Sequence, residues 1–314
     1  MLKYIFKRTF YIIPSLILVA FLVFFLIHLI PGDPAHVMLG DSGTEEDVAA
    51  LRKSMGLDRP LHTQFILWIG KVGRGDLGVS IYDKRPISQS IRERFPVTLT
   101  LTTLAMVISL LLALPSGVLA AVYNNTRIDY LFMLVTIFGV SIPGFWLGLM
   151  GLLLFSLHLG WFPAVGFVSI EEDFFQGLRY MILPSITLGL YMAAVVARMA
   201  RSSMLEVIRL EYVTHARAKG LTEWKVIAKH ALKNAFGPTL TTIGIQYGML
   251  LGGAVVIETV FSLPGLGKYL MVAIFGRDYP VVQGCILFMS ITYMLINLIV
   301  DILYVYFDPQ IEYQ

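Results

Sequence analysis

The chain reads as an all-α integral membrane protein that crosses the bilayer six times, and three observations carry that reading. Of its 314 residues 57% are hydrophobic and only 14% charged, where soluble domains carry roughly 25% charge. Apolar stretches of about 20 residues, enough to cross roughly 30 Å of hydrocarbon, recur near 9–30, 97–122, 131–156, 179–200, 239–262 and 284–307. Basic residues gather in alternate connections: Lys3, Lys7 and Arg8 flank the first stretch and Arg127 lies in 123–130. Residues 198–236 then hold Arg198, Arg201, Arg209, Arg217, Lys219, Lys225, Lys229 and Lys233 against Glu206, Glu211 and Glu223. The positive-inside rule makes these regions, and with them both termini, cytoplasmic.

The first stretch begins like a signal peptide but runs on to Ile30, and it is followed by Ile-Pro-Gly-Asp-Pro rather than a small-x-small cleavage site. It is read as an uncleaved span. The net charge of +3, with no run of Lys and Arg, gives no means of neutralising a string of phosphates, so nucleic acid is not an expected partner. The single cysteine, Cys285, excludes an internal disulfide and fits no metal motif; it reads as a small buried hydrophobe.

On the outer side, 157–178 carries Glu171, Glu172 and Asp173 with no Lys or Arg before Arg179, and 263–283 has only Lys268 and Arg277 as basic residues. The larger segment 31–96 is a helical extracytoplasmic insertion. Thr44 caps a helix opened by Glu45, Glu46 and Asp47, with Val48, Leu51 and Met55 on one face and Gly56 at its end. After Pro60, the spacing of Leu61, Phe65, Trp68 and Val72 predicts a second helix before the turn at Gly73, Gly75 and Gly78. Ile87, Ile91 and Phe95 predict a third.

Residues 211–238 form the one polar segment in the second half of the chain. A short helix from Glu211 to Lys219 stops at Gly220, where glycine accepts a left-handed backbone. Thr222 is placed to cap a second helix with Glu223 in its first turn. That helix presents Lys225, Lys229 and Lys233 on one face and Val226, Ala231 and Leu232 on others, and Pro238 opens the next span.

Ala216, Ala218, Gly220 and Pro238 in this order resemble the EAA loop of ATP-binding-cassette importer permeases. Ala216-Arg-Ala-Lys-Gly-Leu and His230-Ala-Leu-Lys-Asn-Ala resemble the form found in peptide and nickel permeases. Further runs similar to the dipeptide, oligopeptide, glutathione and nickel group cover nearly the whole chain. They are Pro31-Gly-Asp-Pro34, Gly56-Leu-Asp-Arg-Pro-Leu61, Gly75-Asp-Leu-Gly78, Ser202-Ser-Met-Leu205, Phe261-Ser-Leu-Pro-Gly-Leu-Gly267 and Arg277-Asp-Tyr-Pro-Val-Val-Gln283. Two positions depart: Thr214-His215 stands where the family usually has Arg-Thr, and Gly237 where an aliphatic residue commonly precedes the proline. Neither touches the Ala and Gly positions.

The resemblance implies a type I importer permease fold forming one transmembrane domain over 1–314, in a bacterial inner membrane, with an EAA-type coupling loop at 201–236. Its partners would be a second permease subunit, two ATP-binding-cassette ATPases, an external substrate-binding protein and membrane lipid. Glu211, Tyr212, His215, Ala216, Arg217, Ala218, Lys219, Gly220 and Leu221 would dock into an ATPase cleft. ATP and Mg would sit on those partner subunits, with no cofactor and no catalytic residue on this chain. The sequence agrees in lacking a GxxxxGK[ST] phosphate loop. Methyl side chains at Ala216 and Ala218 would let a partner approach the helix backbone closely. A basic loop resting on anionic headgroups is the plainer reading of the three lysines.

Glu258 and Asp301 are acids in apolar stretches, costly unless paired or facing water. Glu258, Gln246 and Tyr247 are candidates for a pathway or gate, Glu258 because it precedes the Pro264-Gly265 break. Pairing with a neighbouring helix is the alternative, favoured for Asp301 beside Asn297. Gly244, Gly248, Gly252 and Gly253 either open a pore face or permit close helix packing. His28, His158 and His230 are too scattered to form a metal site. The expected cargo is a short peptide or peptide-like solute, with nickel or a nickel chelate as the alternative. A proton-coupled secondary transporter is more distant, because paired inverted repeats are missing.

Overall fold

The computed structural model describes residues 2–29, 44–54 and 58–307. The elements below are helices, and the described residues hold no strand, only an isolated bridge between Val79 and Pro86. In chain order they are α1 (Leu2–Leu29), α2 (Glu45–Ser54), α3 (Leu61–Val72), α4 (Ile87–Val122), α5 (Arg127–Ser141), α6 (Gly144–His158) and α7 (Phe174–Ile208). Then follow α8 (Glu211–Ala218), α9 (Glu223–Val260), α10 (Leu266–Gly276) and α11 (Tyr279–Phe307). Among the described residues α4, α7, α9 and α11 are each long and apolar enough to cross a membrane, and the bent pair α5–α6 makes a fifth candidate.

Two elements correct the sequence reading. The stretch expected as one span over 131–156 is broken, with α5 and α6 bent by 98°. Ile142 adopts extended φ/ψ of −83° and 126° ahead of Pro143, as the proline ring forces on its predecessor. Pro143 is then the N-cap of α6, where its missing N–H costs nothing. The third outer helix, expected as separate, is instead the first turns of α4, which runs 36 residues without interruption.

The chain divides into two compact units. One is Val97–Pro264 with the chain from Leu295 onward. Its centre is α7, where Met181, Met192 and Val196 are fully buried against Leu101 and Ala105 of α4 and Ala254 and Ile257 of α9. Lipid is as apolar as leucine, so helices associate here through close packing more than through expulsion of water. Glycines mark the closest approaches. A Cβ on Gly189 would lie 2.6 Å from the Ala105 carbonyl oxygen, and one on Gly117 2.5 Å from that of Ala197. A Cβ on Gly244 would meet Val300 at 2.3 Å, whereas Gly252 faces open space. Asp173 caps α7 by accepting a 3.0 Å hydrogen bond from the Gln176 amide.

The other unit is Leu2–Pro96 with Gly265–Met294. Its core joins Ile87 and Ile91 to Leu266, Leu270, Val281 and Cys285, which gives Cys285 the buried place expected of it. A buried carboxylate, Asp278, accepts from Ser80 Oγ at 2.6 Å and from the Ile81 amide at 3.0 Å. It thereby pins the 80–81 turn to the start of α11. Arg277, in the left-handed region at φ 58°, closes α10; that helix falls inside 263–283, which the sequence reading leaves as a plain connection. The cap of α2 is as expected: Thr44 Oγ1 accepts from the Asp47 amide at 3.2 Å and Asp47 Oδ2 accepts from the Thr44 amide at 3.1 Å. Met55 and Gly56, expected to end that helix, and Pro31-Gly-Asp-Pro34 lie outside the described residues.

Candidate functional site

The polar loop is built as a joint of two helices. α8 runs Glu211–Ala218 and turns at Gly220, whose φ is +77° and whose amide donates to the Arg217 carbonyl at 2.9 Å. A Cβ on Gly220 would have nothing within 4 Å, so backbone conformation alone calls for glycine there. α9 starts at Glu223 and loosens into a π turn over Val226–Ala231. Thr222 stands at the N-cap but its side chain makes no capping bond. In its place Arg217 donates to Glu223 at 2.8–3.2 Å, bridging the two helices across the turn. Hydrogen bonding from the Arg217 guanidinium holds the Glu223 carboxyl below its ordinary value, and Glu223 in turn raises Arg217.

A small core fixes the angle between these helices: Val213 and Ala216 of α8 pack with Val226, all buried. This separates the two alanines. The Ala216 methyl is enclosed by its own chain, while Ala218 is exposed, together with Glu211, Tyr212, His215, Lys219 and Leu221. The expectation that both methyls are open to a partner is corrected for Ala216, whose methyl is enclosed. Lys225, Lys229 and Lys233 are exposed while Val226 and Ala231 face inward, as expected. Asn234 Nδ2 donates to Tyr212 Oη at 2.8 Å and to the His230 carbonyl at 3.0 Å, a second bridge from α9 to α8. Pro238 lies inside α9 rather than at the head of a span, because the helix runs unbroken from Glu223 to Val260.

A second polar cluster was missed by sequence reasoning. Asp129, in the first turn of α5 and 1% exposed, accepts from Arg201 Nε at 2.6 Å and Nη2 at 2.7 Å. Asp129 Oδ2 also accepts from the Asn125 amide at 3.0 Å, and Arg201 Nη2 reaches Asn124 Oδ1 at 3.3 Å. In sequence Arg201 is one more basic residue among those of 198–236. The only signal for its partner is an acid in the short link that also carries Arg127.

Two of the gate candidates, Glu258 and Tyr247, reach α4. Glu258 is fully buried and accepts from Thr98 Oγ1 at 2.6 Å. It joins α9 to α4, the arrangement that the pairing alternative describes. Its carbonyl takes the Leu263 amide at 2.9 Å, and α9 closes there with Ser262 at φ 56°. Tyr247 Oη lies 3.0 Å from Thr103 Oγ1, and Gln246 is buried. The Asp301 side chain lies outside the described residues. Among the described residues no three His, Cys, Asp or Glu side chains gather as metal ligands.

Comparison with known proteins places the whole chain. Residues 113–313 match the family described as binding-protein-dependent transport system inner membrane component, and residues 1–102 match its N-terminal companion. The chain is 44% identical over 314 residues to the glutathione transport system permease protein GsiC of Salmonella paratyphi A (strain ATCC 9150 / SARB42), covering 100% of both. It is 42% identical, again over 100% of both, to the protein of that name from Escherichia coli (strain K12). A crystal structure of an amino acid ABC transporter with histidines matches with a TM-score of 0.45 at 16% identity, over 71% of this chain and 94% of that one. The chain belongs to the binding-protein-dependent transport system inner membrane component family, and it is a permease subunit of an ATP-binding-cassette importer rather than an enzyme.

Proposed function

We propose that this permease forms half of a translocation pathway for short peptides or peptide-like solutes of the glutathione kind, and that residues 211–221 are the handle by which an ATPase moves it. The observation that carries the reading is the joint itself. α8 is short and exposed along Glu211, Tyr212, His215 and Ala218, yet it is held at a fixed angle by Val213, Ala216 and Val226 and by the Arg217–Glu223 pair. A rigid, exposed projection on an otherwise apolar chain suits a partner that grips and pulls. Relatives named for glutathione transport, at 42–44% identity over full length, support the cargo class and do not favour nickel.

In this reading the chain is one membrane domain of six spans with both termini and the 201–236 loop cytoplasmic. Residues 31–96 face outward to receive a substrate-binding protein. A second permease completes the pathway, and two ATPase subunits hold ATP and Mg. ATP-driven closure of the ATPases displaces α8, and α7 and α9, which flank it in sequence, carry the displacement into the bundle. The test is uptake into vesicles holding both permeases and the ATPases, with the binding protein outside. Glutathione or a short peptide should enter only when ATP is supplied inside. Accumulation without the ATPases, or transport of nickel with no peptide-like solute, overturns the reading.

A further inference from the structure

We propose that α3 lies in the plane of the membrane's outer surface, with Ile66 and Leu67 immersed among lipid acyl chains. α3 spans Leu61–Val72 and contains no buried residue, although it carries no Asp or Glu and Lys71 is its one Lys or Arg. Apart from His62, Thr63, Gln64 and Lys71 the helix is apolar, and a helix with so apolar a surface is ordinarily covered by protein or lipid. This one, about 18 Å long at about 1.5 Å per residue, is too short to cross roughly 30 Å of hydrocarbon.

One side of it is accounted for. Phe65 and Trp68 pack on Phe24 of α1 with ring centroids 5.4 and 5.7 Å apart, and Phe65 also meets Phe21 at 5.9 Å. The other side is bare: Ile66 is 64% exposed and Leu67 46%.

Two features commit that bare side to lipid. α3 adjoins α1, where Ile17, Leu18, Phe21 and Leu22 are each 44–58% exposed, and an exposed apolar surface of that kind on an inner-membrane protein meets acyl chains. The last turn of α3 also carries Lys71, with Arg74 two residues beyond the helix, cations placed where a headgroup phosphate would meet them, and Trp68 is the residue type that gathers at that boundary. The inference rests on the reading that 31–96 faces outward.

The test uses the assembled importer in bilayers of phosphatidylethanolamine and phosphatidylglycerol, with nitroxide labels at Ile66→Cys, Leu67→Cys and Arg74→Cys. Cys285 is buried, so it does not compete for label. Labels at 66 and 67 should collide more often with oxygen, which concentrates in lipid, than with a water-soluble nickel chelate, and the label at 74 should show the reverse. Preference for the chelate at 66 and 67 would overturn the proposal in favour of a wet surface. Shielding from both relaxants would overturn it in favour of a protein neighbour. Asp58→Cys, at an exposed position, separates the underlying orientation: a membrane-impermeant maleimide added from the outer side should modify it. If it reacts only from the cytoplasmic side, the outward reading fails, whatever the labels at 66 and 67 report.

Discussion

Arg201 grips Asp129 through two hydrogen bonds of 2.6 and 2.7 Å, tying the first turn of α5 to the last turns of α7. The two partners are not equivalent, since Asp129 is 1% exposed and Arg201 22%. Arg201→Ala strands a buried carboxylate and is expected to cost about 3–5 kcal/mol. Asp129→Ala leaves a guanidinium that can turn toward water, and it should cost distinctly less. Thermal inactivation of the detergent-purified importer measures both. Exchanging the two residues should recover part of the loss, and equal losses in the single variants would contradict the asymmetry.

At Gly220 the backbone and the available space make different demands. With φ at +77° and nothing within 4 Å of where a Cβ would sit, Gly220→Asn should remain close to wild type, because asparagine tolerates the left-handed region. Gly220→Val should cost about 1–2 kcal/mol or more in the loop, abolish uptake and loosen the ATPases while the spans still insert. Uptake assays and co-purification of the ATPases check both. Normal uptake by the valine variant would count against docking at this turn.

The Arg217–Glu223 pair gives the joint a pH dependence of known sign. Glu223 titrates below its ordinary value of 4.5 in the folded loop. Its contribution is therefore fully present above that value and is lost as pH falls through the lowered one. The pair is exposed, so salt should weaken it as well. Hydrogen exchange at the α8 amides, corrected for intrinsic rate, should rise on acidification into that window. Glu223→Gln should remove the change.

Thr98→Val deletes the 2.6 Å hydrogen bond to Glu258 and should lower stability by about 1–3 kcal/mol. Because Glu258 is buried against α4, Glu258→Gln should cost stability with little change in which solutes are carried. Competition between glutathione and unrelated dipeptides, measured in uptake, separates this from a pathway role, which would shift the preference.

Glycine contacts sort in the same way. Gly189→Ala places a methyl 2.6 Å from the Ala105 carbonyl oxygen and should destabilise by about 1–3 kcal/mol. Gly252→Ala meets nothing within 4 Å and gains helix propensity of about 1 kcal/mol. Melting of the isolated chain should fall in the first case and hold or rise in the second.

Local chemistry was legible in the sequence, and distant pairing was not. The Thr44 cap, the Gly220 stop and the α3 packing face of Phe65 and Trp68 each involve residues within a turn or two of one another, where spacing alone fixes geometry. Asp129 and Arg201 lie 72 residues apart, Thr98 and Glu258 160, and Ser80 and Asp278 198. Such carboxylates look alike in sequence whether they face a pore or a neighbouring helix. The break at Pro143 was visible as Ile-Pro-Gly, but hydrophobicity continues through it, and a count of apolar residues does not register a turn. Ala216 shows the remaining limit: a small residue in a docking motif reads as contact surface, and only packing reveals that its methyl is enclosed by Val213 and Val226.

That enclosure has a mechanical meaning. On the proposed docking role, a joint set before any partner arrives would spare a gripping subunit the cost of freezing loose backbone, roughly 1–2 kcal/mol per residue. A stiff crank would then pass its stroke on to the shafts it is fixed to, where a slack one would absorb it.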